Sequence, residues 1–162
     1  MILILMGVSG SGKTTIGKLL AEELRWPFYD GDDFHPQANI DKMSRGIALT
    51  DQDREVWLAT LRQLVERLFQ DHQSAIVACS ALKQTYRTQL QENNTDVYFV
   101  YLKGDHALIQ QRLQERSGHF MKADLLTSQF ATLEEPDGVL TVDVALTPQA
   151  IVKQIRSCFD LV

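Results

Sequence analysis

Gly7-Val8-Ser9-Gly10-Ser11-Gly12-Lys13-Thr14 is the stretch on which the fold of this chain turns. Its spacing is G-x-x-x-x-G-K-[ST], the pattern of a phosphate-binding loop. Gly7 and Gly12 permit backbone angles that a Cβ would forbid, so consecutive N–H groups can point inward at phosphate oxygens. Lys13 can reach the outer phosphates, and the Thr14 hydroxyl suits Mg²⁺. Upstream, Ile2-Leu3-Ile4-Leu5-Met6 is a continuous apolar run, as expected of a strand buried on both faces. Downstream, Ile16, Leu19, Leu20 and Leu24 recur at helical spacing through Thr15–Leu24. Strand, glycine loop and helix stand in the order that aims a helix N-terminus at phosphate. The nucleotide contacts expected here are Gly7, Ser9, Gly10, Ser11, Gly12, Lys13, Thr14 and Thr15.

The same alternation runs through the rest of the chain. Further strands are predicted at 27–30, 75–79, 97–102 and 139–144. Helices are predicted from Thr50 to about Asp71, over 83–90, from Asp105 to Arg116, over 125–133 and over 148–159. Thr50-Asp51-Gln52-Asp53 reads as a capping box, and residues 32–51 read as irregular. Apolar strands alternating with helices imply a five-stranded parallel sheet covered on both faces, with ligands bound beyond the strands' carboxyl ends.

At 162 residues the chain fits a single domain, 1–162, able to bury roughly two-thirds of its unfolded surface. The net charge of −5 and the lack of a dense basic run argue against a nucleic-acid partner. No apolar run reaches membrane-spanning length. The first strand begins at Ile2, which leaves no room for a targeting peptide, so a cytoplasmic protein is expected. Cys79 and Cys158 have neither C-x-x-C spacing nor a disulfide framework, and read as buried free thiols.

Several residues after the strands carry candidate chemistry. Asp30-Gly31-Asp32-Asp33 follows the second strand. Phosphoryl transfer needs a Mg²⁺ ligand and a carboxylate that orients the attacking hydroxyl, and Asp30 and Asp32 can divide those roles. His35, before a proline, is a weaker substrate candidate. Arg54 sits in the first turn of a helix against the macrodipole, which suggests a task such as gripping an anionic substrate. A solvated surface arginine explains it equally well. Lys83 and Arg87 share a helix face at i, i+4 and offer a positive pocket for a carboxylate, although a solvated face accounts for them nearly as well. Arg112 and Arg116 are also one turn apart, followed by Ser117-Gly118-His119. A lid at about 117–125, hinged at Gly118, would let them neutralise charge on a transferring phosphoryl.

Taken together these stretches resemble the gluconate kinase family of small P-loop kinases. The matching pieces are the loop itself, Asp30-Gly31-Asp32-Asp33-Phe34-His35-Pro36 with Asn39 and Lys42-Met43, and Leu49-Thr50-Asp51-x-Asp53-Arg54-x-x-Trp57-Leu58. Ala78-Cys79-Ser80-Ala81-Leu82-Lys83 with Tyr86-Arg87, His119-Phe120-Met121, and Ser128-Gln129-Phe130 with Leu133-Glu134 and Pro136 complete the set. The departures are small: Ala48 stands where proline is frequent, and Thr14-Thr15 replaces the commoner Ser-Thr. The resemblance implies an adenylate-kinase-like P-loop NTPase fold with a short lid, usually as a homodimer. It implies ATP- and Mg²⁺-dependent phosphorylation of the 6-hydroxyl of D-gluconate. Lys13 and Asp32 would then be catalytic, with Thr14 and Asp30 serving Mg²⁺. Asp32, His35, Arg54, Lys83, Arg87, His119 and Gln129 would contact the sugar acid, and Arg112 and Arg116 the nucleotide. Rival acceptors are shikimate, another sugar acid or a nucleoside monophosphate. A guanine-nucleotide switch is disfavoured because no N-K-x-D motif is present, and a polynucleotide end kinase because of the acidic balance.

Overall fold

The computed structural model describes residues 1–116 and 123–162, with 123 and 124 in their backbone alone. Five strands, β1 (Ile2–Met6), β2 (Phe28–Asp30), β3 (Ala75–Ala78), β4 (Val97–Lys103) and β5 (Leu140–Asp143), form one parallel sheet in the order β2-β3-β1-β4-β5. The helices are α1 (Lys13–Leu24), α2 (Gln37–Ser44), α3 (Asp51–Gln70), α4 (Gln84–Gln91), α5 (His106–Glu115), α6 (Ala123–Thr132) and α7 (Pro148–Cys158). No helix among the described residues is long and apolar enough to cross a membrane.

The central strand explains the layering. Successive side chains of a strand point to opposite faces. Ile2, Ile4 and Met6 therefore pack with Trp57, Leu61 and Val65 of α3 and Tyr86 and Leu90 of α4. Leu3 and Leu5 pack with Ile16 and Leu20 of α1, Ile109 of α5 and Ile151 and Ile155 of α7. All five residues of β1 are buried, and each large aliphatic side chain removed from water contributes roughly 1.5–3 kcal/mol. The sheet's carboxyl edge then presents three chain segments side by side: the loop after β1, the acidic turn after β2 and the segment after β3.

Local capping sets the helix starts. The Thr50 hydroxyl accepts from the Asp53 N–H at 3.1 Å while the Asp53 carboxylate accepts from the Thr50 N–H at 2.9 Å, the reciprocal box expected from sequence. Asp105 accepts from Leu108 N–H at the start of α5, and Thr147 from Ala150 N–H at the start of α7. The start of α1 is different. Its N-cap is Gly12, left-handed at φ 95°, and no side chain caps it. The first N–H groups of α1 therefore stay directed at the loop.

Residues 32–51, expected to be irregular, contain a 3₁₀ turn, Gly31–Phe34, and α2. The inward face of α2 carries a buried asparagine, Asn39, in place of an apolar stripe, and so lacks the hydrophobic period that marks a helix. Cys79 is buried, which pushes its thiol up to about 12, whereas Cys158 is exposed. The expectation of two buried thiols thus holds for Cys79 alone.

Gly31 is where the acceptor-side turn meets the sheet. A Cβ on Gly31 would lie 2.4 Å from the Ala78 carbonyl oxygen, a backbone atom that cannot swing aside. Gly31→Ala is expected to destabilise the fold by ~1–3 kcal/mol through overpacking. Urea unfolding of the two proteins checks this, and an unchanged midpoint would show that β2 is not held closely against β3.

Candidate active site

A cavity of about 330 Å³ opens at the sheet's carboxyl edge. Ser9, Gly10, Gly12, Lys13, Thr14 and Thr15 of the loop line one side, and Asp32, His35 and Arg54 the other. Trp57, Ser80, Leu82, Arg116 and Gln129 close it, with Ile40 and Met43 of α2 at its rim. The loop and the acidic turn thus share one chamber.

On the loop side, the Lys13 ammonium donates to the carbonyls of Gly7 at 3.0 Å and Val8 at 2.9 Å. Burial lowers its pKa from the ordinary value, and the Asp32 carboxylate is the largest opposing influence. The Gly7 N–H donates to the Ser80 carbonyl, tying the loop to the segment after β3. Ser11 is buried beneath the loop, and its Ser11 N–H donates to the Val8 carbonyl. The Ser9 N–H donates to the Gln129 side-chain oxygen at 2.7 Å, which brings α6 onto the loop.

The Thr14 hydroxyl donates to Asp30 Oδ2 at 2.7 Å, and Asp30 Oδ1 accepts from the Asp32 N–H at 3.1 Å. Thr14 and Asp30 therefore hold two hard oxygens side by side at the start of α1. That donor set fits Mg²⁺, which keeps several waters and takes one or two protein oxygens together with substrate phosphates. No group of three or more His, Cys, Asp or Glu side chains suited to a metal occurs among the described residues.

On the acceptor side, the His35 ring stacks on Trp57 with centroids 4.3 Å apart and planes 13° from parallel. The Trp57 indole N–H donates to the Gly31 carbonyl at 2.7 Å. Burial, and then the nearby Arg54 charge, lower the His35 pKa to about 4, so the ring is neutral at physiological pH. Arg54 lies over the Tyr86 ring at 5.7 Å and donates to its hydroxyl at 3.4 Å.

Three expected contacts are turned elsewhere. Lys83 does not line the cavity. Its ammonium pairs with Asp51 at 2.9 Å, which raises its pKa, and the Tyr86 hydroxyl donates to the same carboxylate. Arg87 is 3% exposed, and its guanidinium donates to the Ala81, Leu82 and Glu134 carbonyls and to the Gln84 side chain. Arg112 donates to the Val144 carbonyl at 2.6 Å, at the end of β5. Each satisfies acceptors within the protein: Lys83, at the N-cap of α4, meets the start of α3, and Arg87 and Arg112 meet carbonyls of neighbouring loops. Of the two arginines expected to contact the nucleotide, Arg116 alone lines the cavity. His119 lies outside the described residues, as does most of the proposed lid. Sequence reasoning missed Trp57 as a lining residue and Asn39 as a partner of His35. Trp57 fell within an apolar stripe, and an inward-facing asparagine among polar neighbours leaves no periodic mark.

Replacing Arg87 by Met would leave buried carbonyls without donors, at ~1–3 kcal/mol for each group left unsatisfied. Denaturant unfolding should show Arg87→Met losing stability while steady-state kinetics show the acceptor KM of the folded enzyme little changed. A large KM increase at unchanged stability would place Arg87 at the substrate after all.

The sequence profile of the shikimate kinase family matches residues 9–136. A probable gluconokinase of Xenopus tropicalis is 43% identical over 178 residues, covering 99% of this chain and 94% of that protein. The thermosensitive gluconokinase of Escherichia coli (strain K12) is 44% identical over 157 residues, covering 94% of this chain and 84% of that protein. Among solved structures, a gluconokinase from Sinorhizobium meliloti 1021 superposes with a TM-score of 0.84 at 44% identity, covering 94% of this chain and 87% of that one. The phosphate loop, the acidic turn facing it and the five-stranded parallel sheet agree with these matches, and the chain belongs to the gluconokinase family of P-loop kinases.

Proposed function

We propose that this enzyme transfers the γ-phosphoryl group of ATP to the 6-hydroxyl of D-gluconate, giving 6-phospho-D-gluconate and ADP. The observation that carries the reading is the chamber lined by the phosphate loop, Asp32 and Arg54 together. The phosphate loop's N–H groups and Lys13 would cradle the β- and γ-phosphates, with Arg116 at the outer side of the nucleotide. Thr14 and Asp30 would hold Mg²⁺, which neutralises charge on the phosphate oxygens when bound. Asp32 takes the proton of the acceptor hydroxyl as its oxygen bonds to the γ-phosphorus. The bond to the β-phosphate oxygen breaks and ADP leaves. Arg54, which lines the chamber, would meet the gluconate carboxylate, and charge-assisted contacts of this kind are the strong ones. His35 and Gln129 complete the acceptor side. Family membership also supports a homodimer acting in the cytoplasm, with a lid at about 117–125 closing over one 1–162 domain.

Asp32→Asn should lower kcat by about 10²–10⁴-fold, the usual contribution of a positioned base, with ATP KM nearly unchanged. Asp30→Asn should instead raise the Mg²⁺ requirement. Titration of Mg²⁺ against both variants decides: rescue of Asp32→Asn by added Mg²⁺ would mean the two roles are exchanged.

Arg54→Met should raise gluconate KM at least tenfold, or about 1.4 kcal/mol, while Lys83→Met, whose charge is already paired with Asp51, should change it far less. A coupled ADP-release assay with gluconate, other aldonates, shikimate and AMP measures both the variants and acceptor choice. Equal KM increases for the two variants, or turnover of shikimate or AMP in place of gluconate, would refute this reading.

A further inference from the structure

Asn39 does not line the cavity, yet it is 3% exposed and polar, and it reaches the acceptor side through His35. Its amide nitrogen donates to the Asp53 carbonyl at 2.8 Å and lies 3.3 Å from His35 Nδ1. A backbone carbonyl only accepts hydrogen bonds. The end of Asn39 that faces Asp53 is therefore its NH₂, because the reverse amide orientation would set oxygen against oxygen in a buried position. The same NH₂ carries a second hydrogen, and its neighbour on that side is His35 Nδ1. The imidazole is neutral, with one ring proton, so a nitrogen that accepts from Asn39 leaves the proton on the other.

The opposite ring edge faces the reaction. His35 Nε2 is 4.0 Å from Asp32 Oδ1, and His35 lines the cavity. Stacking on Trp57 holds the ring plane, and the His35 side chain is only 4% exposed. Asp53 is itself fixed, by the Lys42 ammonium at 2.8 Å and by the capping box with Thr50. The charged groups that face the ring are Asp32 from the turn after β2 and Arg54 from α3, while Lys42 of α2 and Asp53 of α3 pair with each other behind Asn39.

We propose that Asn39 is a positioning residue that locks His35 in the Nε2–H tautomer, so that the ring presents a donor, and not a base, to Asp32 and the acceptor hydroxyl. A bare Nε2 would compete with Asp32 for the hydroxyl proton. An Nε2–H instead steadies the Asp32 carboxylate or a substrate oxygen and leaves proton abstraction to Asp32. The ring assignment stands on the hydrogen-bond geometry, whereas its kinetic consequence rests on the gluconate phosphorylation proposed above.

Long-range ¹H–¹⁵N correlation spectra of the ¹⁵N-histidine-labelled full chain read the tautomer directly, with His35→Gln identifying the His35 signals among the four histidines. The wild-type ring should show the neutral Nε2–H pattern from pH 6 to 8. Asn39→Leu, close in shape but without the amide, should give averaged shifts of two tautomers and lower gluconate kcat at least tenfold, with ATP KM little changed. Asn39→Asp, which replaces the donor by an acceptor, should move the proton onto Nδ1. A wild-type Nδ1–H pattern, or an Nε2–H pattern that survives Asn39→Leu, overturns the proposal. The wild-type spectrum alone decides the tautomer if a variant fails to fold. Absence of gluconate turnover in the wild-type enzyme would count against the proposed function and leave the ring assignment standing.

Discussion

The acceptor half of the chamber hangs on one hydrogen bond, from the Trp57 indole N–H to the Gly31 carbonyl at 2.7 Å. Trp57 is fully buried within the α3 face of the core, so its nitrogen needs an acceptor, and Gly31 supplies it. Through that bond the core dictates where the turn after β2 stands. The turn carries Asp30, Asp32 and His35, and His35 lies flat on the same indole. A single aromatic side chain thereby relates the hydrophobic layer under the sheet to the geometry of the carboxylates above it. The close approach of Gly31 to Ala78 completes the fixation from the sheet side.

Charge is distributed with similar economy. The chain carries 16 Lys and Arg, but those near the chamber divide into two groups. Lys83, Arg87 and Arg112 are committed to Asp51, to loop carbonyls and to the end of β5. Lys13, Arg54 and Arg116 line the cavity. The committed cations tie chain segments together: Arg87 joins the α4 start to the Glu134 segment, where the Glu134 carboxylate also accepts from the Gln84 N–H. Glu134 in turn follows α6, whose Gln129 accepts from the phosphate loop. The segments around the nucleotide and those around the acceptor are thus connected through Arg87, although Arg87 does not line the chamber.

Much of the fold was legible in sequence because its markers are local. Apolar runs of strand length, the glycine loop and the Thr50–Asp53 box each declare themselves within a few residues, and strand positions and sheet type followed from them. The loop residues, Asp30 and Asp32 stood out as candidates for the same reason, and the fold brings them together at the sheet's carboxyl edge. What escaped depends on distant partners. α2 has a polar inward residue whose acceptor, the Asp53 carbonyl, belongs to another helix. Lys83 and Arg87 share a helix face in sequence, but Lys83 meets Asp51, 32 residues away, and Arg87 meets Glu134, 47 residues away. Spacing reports which side chains lie together on a helix. It does not report which way that helix faces when it docks.

A protein of net charge −5 that takes anionic ligands works against its own long-range field. The geometry resolves this by distance. Screening confines charge interactions between exposed groups to about 8 Å at physiological ionic strength, so scattered surface carboxylates act weakly on a ligand inside the chamber. Lys13, Arg54 and Arg116 line the chamber itself, where a bound anion would meet them at contact range and each interaction would be stronger. Asp30 and Asp32 are the opposing charges within reach, and in the proposed reaction each would have an offsetting use, one toward Mg²⁺ and one toward a hydroxyl proton. His35 fits the same logic. A cationic imidazole would add attraction for a sugar acid, yet it would also hold Asp32 in an ion pair. Burial on Trp57 keeps the ring neutral, so it adds no such ion pair, and in the proposed reaction anion binding would fall to Arg54.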